Sequence, residues 1–183
     1  MSAEAGRQVP GLPGYDEVAM DEKKALLRHF LAALAYRTQK ALRGAPASFA
    51  SFRAAPNVRT PHELVCHMNS VLGYACTLFL GGTYRVRPLP EFAAEIERFH
   101  ATLARLARVI AESTAWHGMT PEQLLQGPLS DAMTHAGQLA MLRRLAGHPV
   151  APENFVFAEV SPDNLGPDQP LPARPDEEWP EHP

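Results

Sequence analysis

The stretch from residue 89 to residue 113, LPEFAAEIERFHATLARLARVIAES, decides the fold of this chain. Its large apolar residues recur at alternating spacings of four and three, which is the period of an amphipathic helix. Such a seam is typical of a helix that packs nearly parallel to its neighbours in a bundle. The residues of the seam are Phe92, Ile96, Phe99, Leu103, Leu106 and Ile110.

Three further segments show helical periodicity, and no segment alternates apolar and polar residues as a half-buried strand does. Glycine ends the first, second and fourth helices, as it commonly does after a C-terminal turn. A capped turn at 120–123 precedes the fourth helix. We therefore predict an all-α fold, a four-helix bundle. The predicted helices are 21–43, 61–80, 89–113 and 129–149.

The second helix has the clearest start in the sequence. Thr60 is a natural N-cap, Pro61 suits the first helical position, and Glu63 completes a capping box with the Thr60 amide. Glu63 also lies one turn before His67, where a metal ligand could stand, but its capping role explains it fully.

Composition and charge exclude several classes of protein. The net charge of -3 and the scattered Arg and Lys argue against a nucleic-acid partner. The longest apolar run, 71–80, is about half the ~20 residues that span a bilayer, and the N-terminal residues lack a secretory pattern. Cys66 and Cys76 lie about 15 Å apart on one predicted helix and cannot pair. We expect a cytoplasmic protein without a membrane partner.

The chain divides into one bundle domain with tails. Residues 1–20 form an N-terminal arm and residues 21–150 the four-helix bundle. We expect 151–161, which contains the apolar NFVFAEV, to pack on the bundle. Residues 162–183 are acidic and rich in proline, and we expect this irregular C-terminal tail to be extended or disordered.

The fourth helix places Asp131, His135 and Gln138 on an otherwise apolar stripe, and the second helix does the same with His67. In a simple antiparallel bundle helices two and four run in the same direction. His67, Asp131 and His135 would then lie roughly 4 to 11 Å from the same end and face the interior. Two ligands at i and i+4 with a third from a facing helix can bind Zn, Ni, Mn or Fe and leave a position open.

Simpler interpretations of these residues exist. A histidine on an apolar stripe is usually satisfied by hydrogen bonds, and Asp131 also complements the helix dipole. Gln138 can orient a ligand. Trp116, His117 and Phe52 become pocket-wall candidates if their loops cover the site. His29, His100 and His148, like His117, have no partner at ligand spacing and are expected at the surface or its boundary.

The segments TPHELVCHM (60–68), LLQGPLSDAMTHAGQLAMLRRLAGHPV (124–150) and PENF (152–155) resemble the DinB-like, or YfiT-like, superfamily of bacterial four-helix metalloproteins. The resemblance covers roughly residues 21–160. It implies three metal ligands, one from helix two and two from helix four. His67 and His135 match that pattern, and Asp131 stands where the family usually has histidine.

The resemblance also implies a helix order that differs from a simple up-down ring, and frequent homodimers. It implies that the metal activates a low-molecular-weight thiol or water toward a small-molecule substrate, as in thiol S-transferases, isomerases or hydrolases. Two alternatives remain open at this point. One is a non-catalytic metal-binding or stress-response bundle, and the other is a partner-binding module that acts through its tail.

Overall fold

The four periodic stretches form four long helices in a computed structural model, which describes the backbone of residues 15–175 and the side chains of residues 20–175. No β-strand occurs within residues 15–175, so the all-α prediction is confirmed. The first helix begins before the predicted residue 21, and residues 1–14 of the predicted arm lie outside the described range. The helices are α1 (Tyr15–Leu42), α2 (Pro61–Leu80), α3 (Phe92–Glu112) and α4 (Ser130–Leu145).

Each helix packs against two others, and the order around the bundle is α1, α3, α2, α4. This order differs from that of a simple up-down ring, as the resemblance implied. Helices that follow one another across the loops 43–60 and 113–129 therefore lie on diagonals of the bundle. Inside it, the predicted α3 seam is buried at Phe99, Leu103, Leu106 and Ile110.

Helices α2 and α3 run in the same direction. His62 in the first turn of α2 contacts Phe92 in the first turn of α3, with ring centroids 5.6 Å apart. One step further, the amide of Asn69 donates a 2.8 Å hydrogen bond to the carboxylate of buried Glu95. The connection between these helices must therefore run back along the bundle.

Residues 81–91 form this crossover connection, which at ~3.3 Å per residue can span the ~30 Å length of α2. Tyr84 of the crossover lies directly over Gly73, at a place where a Cβ would overlap its ring. Near α3, the Leu89 amide donates a 2.7 Å hydrogen bond to Glu95. Both contacts hold the crossover against the helices that it joins.

Helices α2 and α4 run in opposite directions, so our expectation of a common direction is wrong. Leu64 near the start of α2 shares a cavity with Leu142 near the end of α4. Tyr74, near the end of α2, shares another cavity with Pro128, which precedes α4. The reason is the crossover: because it makes α2 and α3 parallel, the alternation of a simple bundle is broken before α4.

The chain bends sharply before α4. Thr120 and Gln123 form the predicted cap of a short turn, Pro121–Leu124. A wider turn, Leu125–Leu129, follows, and within it Gly127 leaves the helical conformation (φ -88°, ψ -105°). The bend ends at Ser130, whose hydroxyl donates a hydrogen bond to the Leu125 carbonyl. The position of this bend determines where α4 begins beside α2.

By length and composition α2 could cross a membrane, but half of its most apolar window is buried inside the protein. Its buried residues face α3 and α4, the helices against which it packs. In this structure α2 is thus a core helix of the bundle.

The C-terminal segment lies along α1. The Glu153 carboxylate accepts hydrogen bonds from Tyr36 (2.6 Å) and Lys40 (2.7 Å) of α1. Residues 162–175 contain no helix, and Gln169 among them is buried and donates to the Asn164 and Gly166 carbonyls. The predicted extended tail is thus irregular but hydrogen-bonded as far as residue 175, and residues 176–183 lie outside the described range.

Candidate metal centre

His67 lies in the second turn of α2, and Asp131 and His135 lie in the first two turns of α4. One donor atom from each residue falls within 4.8 Å of the other two. The predicted convergence of the three residues therefore occurs. It does not arise from a common direction of helices two and four, as the sequence analysis assumed. The three residues meet because the start of α2 passes the first half of an antiparallel α4.

The Asp131 carboxylate stands between the two imidazoles. Its Oδ1 lies 3.2 Å from His135 Nε2, and its Oδ2 lies 3.7 Å from His67 Nε2. The two rings are nearly perpendicular, at 80°, with their centroids 4.8 Å apart. Ligand atoms on a tetrahedral ion with ~2.0–2.2 Å bonds are separated by roughly 3.3 Å, which is close to the two distances from Asp131 to the imidazoles.

The other ring nitrogen of His135 is fixed by Gln138, one turn further along α4. His135 Nδ1 donates a 2.7 Å hydrogen bond to Gln138 Oε1. In the tautomer with its proton on Nδ1, the lone pair of Nε2 is directed toward His67 and Asp131. Gln138 therefore has the orienting position that the sequence suggested.

The contact between His135 and Asp131 tests whether a cation fits. His135 Nε2 is buried and has no hydrogen-bond partner among the described residues, although the Asp131 carboxylate is 3.2 Å away. With its proton on Nδ1 alone, the imidazole offers a lone pair to a negatively charged oxygen, and either a second proton on Nε2 or a metal cation between the two groups removes this repulsion. The two nitrogens and the carboxylate suit a divalent transition metal.

Burial differs among the three residues. His135 is 7% exposed and His67 is half-buried, whereas the Asp131 side chain is 46% exposed. We expected all three in the interior, and for Asp131 this is wrong because it lies at the rim. Burial, followed by the charge of Arg59, lowers the pKa of His67 despite the opposing effect of Asp131. The imidazole is thus neutral near pH 7, as a metal ligand must be.

Two cavities open beside the group. The first, of about 670 Å³, is lined by Ser70, Tyr74, Gly127 and Asp131 among others, and we call it the Asp131 cavity. The second, of about 600 Å³, is lined by Arg59, Leu64, His135 and Gln138 among others, and we call it the His135 cavity. Both volumes are in the range of small-molecule sites. The candidate ligands are thus reachable from two sides.

The loop residues predicted as pocket walls are not at this site. Trp116 packs against Phe79, which follows His67 by about 18 Å along α2. His117, exposed and next to Trp116, lies at the same distant end. This follows from the antiparallel pair, which places the Trp116 end of the 113–129 connection beside the end of α2, so that only its last residues, near Gly127, approach the ligands. Phe52 of the 43–60 loop packs against the hydrophobic core.

Two other sequence expectations have clear outcomes. Glu63 forms the capping box with Thr60 and pairs with Arg53 at 3.3 Å, which confirms its structural role. His100, expected near the surface, is buried, and its Nδ1 donates a 2.7 Å hydrogen bond to the Leu165 carbonyl. Burial lowers the pKa of His100, and the bond to Leu165 opposes this.

Sequence reasoning missed Arg59, which lines the His135 cavity. Its position immediately before the Thr60 N-cap was the available signal, because that residue is held at the start of α2.

No family model, curated protein or solved structure matches this chain. The case for a function therefore rests on the residues and the geometry of this site.

Proposed function

We propose that the protein is a divalent-metal-dependent enzyme of the DinB-like kind, with His67, Asp131 and His135 as the metal ligands. The observation that carries this proposal is the pair of facing acceptors, His135 Nε2 and the Asp131 carboxylate at 3.2 Å. A metal cation between the two groups would satisfy both, whereas a proton on Nε2 would join them as a metal-free ion pair, and metal content distinguishes these two states. The resemblance in helices two and four supports the same ligand set.

Each residue has a distinct part in this proposal. His135 offers Nε2 because Gln138 holds its Nδ1 proton. His67 is kept neutral by burial and by the charge of Arg59. Asp131, at the rim, brings a hard oxygen donor and a negative charge. A bound divalent ion would supply Lewis acidity, which lowers the pKa of a thiol or water and yields a nucleophile at neutral pH.

The two cavities suit a reaction between two small molecules. The Asp131 cavity and the His135 cavity approach the ligand group from different sides. One can hold a low-molecular-weight thiol and the other an electrophile, and transfer of the thiol is the specific reaction that we propose. In a hydrolase or isomerase, water or a single substrate would occupy the same space.

Metal content tests the proposal. Full-length protein purified without chelators should contain close to one equivalent of Zn, Ni, Mn or Fe by elemental analysis. His135→Ala should retain less than about a tenth of this metal, because it removes the buried ligand and the i, i+4 pair. His148→Ala, an exposed histidine beyond the end of α4, is the matched control and should keep the metal. Wild-type protein that takes up none of these ions on titration would refute the proposal.

A further inference from the structure

The mouth of the His135 cavity carries an exposed apolar surface. Val58, Met141 and Leu145 line this cavity and are 37%, 61% and 59% exposed. Buried Leu64 and Leu142 continue the apolar wall inward. When an aliphatic group covers side chains of this kind, apolar surface is removed from water and the free energy falls. The wall therefore favours a ligand with an aliphatic body.

Arg59 is the only charged residue among those that line the His135 cavity, apart from the histidine ligand itself. Within residues 20–175 its guanidinium donates no hydrogen bond and forms no ion pair. The nearest acid along the chain, Glu63, is already occupied by Arg53 and the Thr60 amide. The positive charge of Arg59 is thus available to an anion.

The loop that presents Arg59 is held in place at several points. Arg53 donates to the Val58 carbonyl and pairs with Glu63, and the Thr60 capping box fixes the next residue. Arg59 therefore stands at the N-terminal end of α2, where the helix dipole adds to the attraction for an anion. Because the backbone on either side of Arg59 is held, less loop entropy is lost on binding than if Arg59 lay on a mobile loop.

Arg59 also lies close to the candidate metal ligands. Both Arg59 and the candidate ligand His135 line the His135 cavity. A ligand that reaches both Arg59 and His135 therefore spans the cavity from its charged side to the metal group. The apolar wall of Val58, Met141 and Leu145 lies along the same cavity.

We propose that the His135 cavity binds the substrate as a small amphipathic anion. A carboxylate or an equivalent oxyanion of the substrate pairs with Arg59, and its aliphatic part covers Val58, Met141 and Leu145. The other end of the substrate then reaches the group of His67, Asp131 and His135. The reaction at that end rests on the proposed function, but the recognition of the anion does not require the metal.

Hexanoate and 1-hexanol provide a matched pair of probes, because they share an aliphatic body and differ in charge. Binding of each is measured by calorimetry and by ligand-observed NMR on the full-length protein, both metal-free and loaded with zinc. Hexanoate should bind at least about tenfold more tightly than hexanol, since an ionic hydrogen-bonded pair adds to the apolar contact. Added salt should weaken hexanoate binding more than hexanol binding.

Two variants locate the binding. Arg59→Gln should weaken hexanoate about tenfold and leave hexanol unchanged, whereas Met141→Asp should weaken both probes. Arg85→Gln, an exposed arginine on the crossover, is the control and should bind as wild type. Circular dichroism confirms that each variant is folded, so a loss of binding reports the cavity.

Three outcomes would overturn this inference: no binding of either probe, equal binding of the two, or unchanged hexanoate binding in Arg59→Gln. Metal uptake is measured on the same samples and separates this inference from the proposed function. Protein that binds hexanoate through Arg59 but takes up no metal would keep the anion site and refute the enzyme proposal. Protein that takes up metal but does not bind hexanoate would refute the anion site and leave the enzyme proposal intact.

Discussion

The two ring nitrogens of His135 have different surroundings, and this difference defines the candidate site. Nδ1 is bonded to Gln138 on the same helix, whereas Nε2 is buried beside Asp131 without a hydrogen bond. The spacings of four residues from Asp131 to His135 and of three from His135 to Gln138 predict that both neighbours lie near His135, because i, i+3 and i+4 share a helix face. The exposed position of Asp131 depends on how α4 meets α2, and no local pattern contains that information.

Removal of the Gln138 side-chain oxygen should loosen the metal site without abolishing it. Gln138→Leu leaves His135 free to rotate or to change tautomer, and comparable second-layer changes cost 10- to 100-fold in metal affinity, so a loss of roughly that size is expected. Gln138→Glu keeps an acceptor at the same place and should retain wild-type affinity or better. Competition titration with a zinc chelator measures both. Equal affinity in Gln138→Leu and wild type would show that the bond does not orient the ligand.

At the scale of helices, local signals were sufficient for the starts of α2 and of the turn before α4. Thr60 with Glu63, and Thr120 with Gln123, form the predicted capping boxes, since these bonds involve residues only three apart. The direction of each helix, and the identity of the helices beside it, could not be predicted from such local signals. They depend on the crossover at 81–91, whose contacts with Gly73 and Glu95 join residues that are distant in sequence or on different elements.

Two glycines in helix interiors should respond to alanine in opposite ways. Gly73→Ala places a Cβ against the ring of Tyr84 and should destabilise the protein by roughly 1–3 kcal/mol. Gly137→Ala meets open space in α4 and should stabilise it by about 0.5–1 kcal/mol. Urea denaturation measures both. Tyr84→Ala should reduce the cost of Gly73→Ala in a double-mutant cycle, and additive effects would show that the two residues do not touch.

Glu95 should make stability dependent on pH. Burial tends to raise the pKa of its carboxyl, but hydrogen bonds from Leu89, Arg98 and Asn69 outweigh burial and lower it. The folded state thus binds this proton less readily than the unfolded state. The stabilisation is present above the unfolded pKa, about 4.5, and is lost as the pH falls through the lower folded pKa.

Urea denaturation between pH 3 and pH 7 tests this expectation. The free energy of unfolding should fall on acidification in the wild type and fall less steeply in Glu95→Gln, which cannot ionise. Glu97→Gln, on the exposed side of α3, should follow the wild-type curve. An unchanged slope in Glu95→Gln would assign the acid sensitivity to other groups.

Across the whole molecule, the C-terminal segment contributes to the bundle itself. Its composition predicted little structure, because proline interrupts helices and charged residues do not form a hydrophobic core. Single buried polar residues overcome that tendency here, namely Glu153 against α1 and Gln169 among neighbouring carbonyls. A tail deletion beginning at residue 162 therefore removes structural contacts, so loss of a binding partner after such a deletion would not identify a docking site.

The buried ion pair of Glu153 offers a sharper test of this role. Glu153→Ala leaves the Lys40 amine and the Tyr36 hydroxyl without their partner and should cost about 3 kcal/mol of unfolding free energy. Tyr36→Phe removes one hydrogen bond but keeps the ion pair, so about 1 kcal/mol is expected. Chemical denaturation measures both. A cost below that of Tyr36→Phe would mean that the segment does not anchor through Glu153.

The crossover also has a consequence for how the chain folds. Since α1 and α2 lie on one diagonal and α3 and α4 on the other, neither half of the sequence contains a pair of helices that pack closely as neighbours. Contacts must form between halves, so the chain should fold more slowly than an up-down bundle of equal length. Fragments divided between α2 and α3 would each lack a core. The candidate metal ligands are divided in the same way, one in the first half and two in the second, so that only complete assembly brings them together.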